Sequence, residues 1–405
     1  MRPNLPRLRR AAAGLVLALA LVPLLSGCGA DMSGITAAIG LTPGPTDTPA
    51  PTPTRVPPTA TPLPADVNGM HWDLVGLQGQ SLLRVTGSQA TDAPVYAGGD
   101  GLYESTDHGK TWTTLGLPTG AAVQDIQVSA ADPRIMYAGS GTPCAGGPAG
   151  AQFRSADAGA TWARLPQAPA SLQIDTRDPN ILYGMTCHGV VRSADAGQSW
   201  QSLGDPDLAQ DASLTGARVR VPANPIGPIY ATWLRADGSG RIRRTYDGGQ
   251  NWGGSDAYFP MLTDLLVDDK RPQGAWALSQ GGVVRTADGG DTWKMTVTGL
   301  DAAHRIKDGE MGPYQLGALG AQYTTSGDMD ELYVGTYATP ERPAAGAFSS
   351  GDLGKVWGRF GGNLGGRDMR SIYVAREKAA SGPDRVYLYA ATDHGVFKIA
   401  LGTAR

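Results

Sequence analysis

SADAGQSW at 193–200 is one of six copies of a single pattern, Ser/Thr-x-Asp-x-Gly-x-x-Trp. The others are STDHGKTW at 105–112, SADAGATW at 155–162, TYDGGQNW at 245–252, TADGGDTW at 286–293 and SGDLGKVW at 350–357. They begin 50, 38, 52, 41 and 64 residues apart, the period of whole supersecondary units. Each copy has the chemistry of a tight turn. Gly109, Gly159, Gly197, Gly249, Gly290 and Gly354 supply a residue tolerant of positive φ. The carboxylates of Asp107, Asp157, Asp195, Asp247, Asp288 and Asp352 can accept backbone N–H groups of the turn, as can the Ser or Thr hydroxyl. The Trp then opens a new strand and packs over the turn.

Three further strands precede each copy. One is apolar with an aromatic, followed by a short strand that ends at the Ser or Thr, as in ILYGMTCHGVVRS at 181–193. An alternating strand comes before these, often closed by Asp-Pro, as in SLQIDTRDP at 171–179. Each unit is therefore four strands, A to D, with the octet in the C–D turn. Four-stranded units repeated radially make a propeller. A seventh unit, MRSIYVAR at 369–376, RVYLYAAT at 385–392 and GVFKIAL at 395–401, lacks the octet and the D strand. HWDLVGL at 71–77 resembles the D strand TWTTLGL at 111–117, so the N-terminal strand is expected to close the seventh blade. Seven blades are favoured over six or eight, and closure protects the open edges.

The octet resembles the Asp-box, or BNR, repeat, and the resemblance covers roughly residues 68–405. It implies an all-β seven-bladed propeller in which the six Asp residues are structural. Catalysis or calcium binding by them is the alternative. Among such proteins, a single exported propeller is similar to the photosystem II assembly and stability factors, which implies protein binding through a basic patch. Arg218, Arg220, Arg235, Arg241, Arg243 and Arg244 make blade 4 the most basic. Nothing in the sequence indicates photosynthesis. The chain also resembles sortilin-type and sialidase-type propellers; sialidases and xyloglucanase-type enzymes carry the same boxes and imply, as the alternative, a glycoside hydrolase. The sialidase Arg-Ile-Pro motif has only Arg220-Val221-Pro222 to match it, in the wrong place.

The chain has 405 residues, 57 of them Gly, and a net charge of −3. Gly-rich, moderately apolar composition suits many tight turns, and the near-neutral charge argues against nucleic acid. Arg2, Arg7, Arg9 and Arg10 precede an apolar run from Ala11 to Leu25 and then Leu25-Ser26-Gly27-Cys28. The run is too short for an ordinary membrane span and resembles a lipoprotein signal. Residues 1–27 are thus expected to be removed, with Cys28 lipidated and the body held at the extracytoplasmic side of the cell membrane. Residues 28–67 hold the Pro/Thr-rich tether, TPGPTDTPAPTPTRVPPTATPLP at 42–64. At ~3.1 Å per residue that stretch reaches about 70 Å. Residues 68–405 form the propeller.

Period-2 alternation divides the A strands into two sets. Leu83/Val85, Ile126/Val128, Leu172/Ile174, Val219/Val221, Leu265/Val267 and Ile372/Val374 are aliphatic and expected between blades. Leu82/Arg84, Asp125/Gln127, Ser171/Gln173, Arg218/Arg220, Asp264/Leu266 and Ser371/Tyr373 are mostly polar and expected at the central channel. Blade 6 does not align. Arg84, Asp125, Gln127, Gln173, Arg218, Arg220, Asp264 and Tyr373 are the candidate binding residues, for a protein or carbohydrate partner on the loop face. Asp125 and Asp264 are the best carboxylate pair for the hydrolase alternative. The binding face is expected on the B–C and D–A loops, with long insertions at 140–150, 234–240, 253–260, 295–313 and 338–345. Cys144 and Cys187 occupy B–C segments of adjacent blades and are expected to form a disulfide. His188 and His394 are expected to be turn residues, and neither a metal nor a cofactor is expected.

Overall fold

The computed structural model describes residues 70–140, 151–169, 171–186, 188–204, 214–223, 226–280, 282–300, 315–339 and 343–404. The chain divides into two units, Met1–Val56 and Pro57–Arg405. Cys28, the Pro/Thr tether, Cys144 and Cys187 lie outside the described residues, as does part of the insertions at 140–150, 295–313 and 338–345. Among the described residues no helix is long and apolar enough to cross a membrane.

The second unit contains seven four-stranded antiparallel sheets. Their A strands are Arg84–Gly87, Asp125–Val128, Ser171–Ile174, Leu214–Arg220, Leu265–Val267, Gln315–Tyr323 and Met369–Glu377. Each A strand neighbours the next, and the seventh neighbours the first, so they ring a central channel. The last blade is completed from the other end of the chain. Asp73–Gly76 pairs with Gly395–Thr403, setting Asp73 opposite Lys398 and Leu74 opposite Phe397. Trp72, 1% exposed, locks this strand in place. Its backbone N–H donates to Asn363 Oδ1 at 2.9 Å, and Asn363 Nδ2 donates to the Trp72 carbonyl at 2.8 Å. Its ring meets Phe360 edge-on at 6.2 Å. One N-terminal segment therefore completes blade 7 and is clamped to the end of blade 6.

An aromatic on every B strand fixes the register between blades. Tyr96, Tyr137, Tyr183, Tyr230, Trp276, Tyr333 and Tyr389 stand opposite Thr86, Gln127, Gln173, Arg220, Leu266, Gly320 and Tyr373. One residue earlier, Val85, Ile126, Leu172, Val219, Leu265, Leu319 and Ile372 are all buried. This ring of aliphatics forms the seams, each side chain contributing ~1.5–3 kcal/mol when fully buried. The expected pairing of blade 1 is corrected by two residues. Arg84, not Leu82, is equivalent to Asp125, and Leu82 is fully buried. Blade 6, unaligned from sequence, contributes Ala318 and Gly320 to the polar set's positions.

The boxes join blades as well as turning strands. In the first, Ser105 Oγ donates to Asp107 Oδ1 and accepts from Gly109 N at 2.7 Å. Asp107 also accepts from the Thr111 backbone at 2.8 Å and the Thr111 hydroxyl at 2.6 Å. The residue before the Gly is left-handed too: His108, Ala158, Ala196, Gly248, Gly289 and Leu353 all have positive φ. Gly249, at φ 96°, seats directly on blade 3, where an added Cβ would lie 2.5 Å from Leu203 Cβ. Trp252 Nε1 donates to the carbonyl of the same Leu203 at 3.1 Å.

Candidate functional site

The channel wall has two tiers, by register. Arg84, Asp125, Ser171, Arg218, Asp264, Ala318 and Ser371 are level with one another. Arg84 faces Gly98, the last residue of its B strand, so this tier lies at the B–C/D–A loop face. Two residues deeper come Thr86, Gln127, Gln173, Arg220, Leu266, Gly320 and Tyr373. Members of both tiers line a central cavity of about 240 Å³: Arg84, Gln127, Gln173, Arg220, Asp264, Leu266, Gly320, Ser371 and Tyr373. Asp125 and Arg218 are not part of that lining, which also takes in Gln89, Thr176, Asp269 and Tyr323 toward the A–B loops.

Most of these polar groups are already spent on the ring. Asp125 accepts the Leu172 N–H of the next blade at 2.6 Å and the Gln127 amide at 3.1 Å. Ser371 Oγ donates to the Val85 carbonyl at 3.1 Å, and Tyr373 OH to the Ser88 carbonyl at 2.5 Å, tying blade 7 to blade 1. Arg220 joins blade 4 to blade 5. Its Nε donates to the Leu265 carbonyl at 2.8 Å and its Nη2 to Asp264 Oδ1 at 3.2 Å. Asp264 Oδ1 also takes the Leu265 N–H at 2.9 Å. Burial lowers Arg220 to about 10, Asp264 opposes that shift, and Arg84 and Arg218 add to it. The group stays charged at neutral pH. The cavity lining holds two arginines, Arg84 and Arg220, and two aspartates, Asp264 and Asp269.

Two sequence expectations change here. Blade 4 is not one basic patch. Arg218 and Arg220 belong to the channel, whereas Arg241, Arg243 and Arg244 lie on strand C toward the rim. Arg241 Nη2 pairs with Asp256 at 2.6 Å, Arg243 pairs with the same carboxylate at 3.4 Å, and Arg244 pairs with Asp291. The Arg235 and Arg241 guanidiniums stand 5.5 and 5.0 Å from the Tyr258 ring. The 253–260 insertion is also not a loop-face element. Gly253 bridges to Arg244 and Phe259–Pro260 rejoins strand C at Ser239–Gly240, so the insertion interrupts the D strand at the rim. His188 and His394 are turn residues, their N–H groups bonded to Thr186 Oγ1 and Thr392 Oγ1 at 3.1 and 3.0 Å. Among the described residues no three His, Cys, Asp or Glu side chains converge as metal ligands.

The BNR/Asp-box repeat family model matches residues 103–114. No curated protein matches the chain in sequence. Among solved structures the chain is similar to a GH74 enzyme of Niastella koreensis, with TM-score 0.53 and 15% identity over 82% of this chain and 44% of the enzyme. The chain thus spans less than half of that enzyme's length. It is also similar to YCF48 from Cyanidioschyzon merolae, with TM-score 0.53 and 15% identity over 81% of this chain and 98% of the other. YCF48 bound to D1 peptide gives TM-score 0.54 and 14% identity over 84% and 99% of the two chains. These likenesses show the fold: a seven-bladed Asp-box propeller, shared by an enzyme and by a peptide-bound protein alike.

Proposed function

We propose that this protein is an exported, membrane-tethered binding or assembly module that acts through its B–C/D–A loop face and channel mouth and carries out no chemistry. One observation carries the reading. The box carboxylates are engaged in turns, and Asp125 and Asp264 are bonded into inter-blade joints. A hydrolase needs one carboxyl free to donate a proton and a second free to attack or to activate water. The likeness to YCF48, which has been seen with a peptide, supports a protein partner. Cys28 lipidation and the Pro/Thr tether would hold the ring at the outer side of the membrane with reach toward that partner.

Incubation of the purified protein with xyloglucan and with sialosides tests this reading. No turnover is expected. Turnover abolished by Asp125→Asn or Asp264→Asn in a folded ring would replace the reading with a hydrolase.

A further inference from the structure

We propose that the box-face mouth of the channel, at the A–B ends of the blades, holds a small free alkylammonium, with Asp269 as its counter-ion. This site lies on the opposite face from the one proposed above, and neither reading rests on the other. Gln89, Thr176 and Asp269 stand in the A–B connections of blades 1, 3 and 5, and Tyr323 ends the A strand of blade 6. All four line the cavity. Gln89 and Asp269 are exposed, whereas at the loop-face end Ser371 is buried and Arg84 and Asp264 are partly buried. The cavity is therefore entered from the A–B end.

Asp269 differs from the carboxylates around it. Asp175 holds Arg177, Asp268 holds Arg271 and Asp328 holds Lys270. Asp269 Oδ1 accepts the Ala223 N–H of blade 4 at 2.9 Å, and no cation among the described residues pairs with it. Water reaches this side chain through the mouth, yet the ring walls it in. Burial pushes its carboxyl up, and the neighbouring Asp268 charge adds to that. An enclosed carboxylate without a counter-ion is costly, and a cation removes the cost. The two lining arginines stand at the other end. Arg84 is level with Asp264, and Arg220, one tier deeper, is bonded to it. Their charge keeps a cation at the mouth.

The remaining groups select an ammonium and its orientation. An ammonium has three N–H donors to place. Asp269 Oδ2 takes one. Thr176 Oγ1 is available for a second, since among the described residues it is the one buried hydroxyl without a hydrogen-bond partner. Gln89 and Tyr323 bring further oxygens to the same mouth. Inward of these, one residue beyond the second tier, Val221, Val267, Ala321 and Val374 join the lining. A short aliphatic stem pointing inward meets these four side chains while its ammonium stays at Asp269. A lysine of a partner chain would enter ammonium first and leave its stem outside them, so a free amine is the occupant.

Calorimetric titration of the full mature protein with n-butylammonium, n-butanol and an end-blocked peptide carrying one lysine tests the site. The amine is expected to bind at least about tenfold more tightly than the alcohol or the peptide. Asp269→Asn keeps an acceptor for the Ala223 N–H and should lose about tenfold or more of the amine binding. Thr176→Val should also weaken it, and covers the case in which Asp269→Asn does not fold. No amine binding, equal binding of amine and alcohol, or a peptide that binds as tightly as the amine overturns the inference. So does amine binding unchanged in Asp269→Asn, or in Thr176→Val where only that variant folds. A partner still cross-linked through the loop face in those circumstances would leave the binding reading standing.

Discussion

Trp112 Nε1 donates a 3.1 Å hydrogen bond to the carbonyl of Val75, so the first box turn hangs on the N-terminal strand that closes the last blade. The same relation recurs between blades 4 and 3 through Trp252 and Leu203. Boxes are therefore inter-blade couplings, and the ring's stability depends on the N-terminal strand Asp73–Gly76.

Trp72→Ala should destabilise the ring by ~3–5 kcal/mol, since it empties a site only 1% exposed between blades 6 and 7. Deletion of 71–77 should cause aggregation, whereas deletion of 42–64 should leave the thermal midpoint unchanged. A stable, monomeric 71–77 deletion would contradict the closure.

Acid stability should follow the boxes. The Thr111, Thr161 and Ser199 hydroxyls hold Asp107, Asp157 and Asp195 at about 2, and the Asn251 amide does the same for Asp247. Their folded values lie below the ordinary 3.8, so the stability they confer is complete above that value. It is lost as pH falls toward 2. Melting followed by circular dichroism should show the steepest loss between about pH 4 and pH 2. A fall concentrated between pH 7 and 5 would contradict this account.

Gly249→Ala should cost ~2 kcal/mol or more, because φ 96° is strained for Ala and its Cβ would meet Leu203. Gly116→Ala, with open space around the new methyl, is the control and should change the denaturation midpoint little.

Cys28→Ser should move the protein from the membrane fraction to the soluble exported fraction. Fractionation and mass spectrometry of the N-terminal peptide check this. Retention in the membrane with an unmodified N-terminus would rule out the anchor.

The repeat made the blade count, the closing strand and the turn role of the boxes legible, because each depends on spacing and on local chemistry. The two tiers of the channel were only partly legible. Period-2 alternation separated Gln127 from Ile126, but alternation alone could not tell Leu82 from Arg84 as the residue level with Asp125. That register is set by Tyr96 across the strand pair. The partnership of Arg220 with Asp264 spans two blades and leaves no local trace in the sequence. Nor could spacing show that Arg241 and Arg243 are drawn to Asp256 at the rim. The aromatic recurring in every B strand was visible and would have supplied the missing alignment.

Position-specific photo-cross-linking in intact cells tests the central claim most directly. The probe is placed at Gln80 or Asp100, exposed on the loop face, and at Lys110 or Lys355, exposed on the box face. A single partner should be captured from Gln80 and Asp100 and not from the box-face positions. Capture from Lys110 and Lys355 alone would contradict the account.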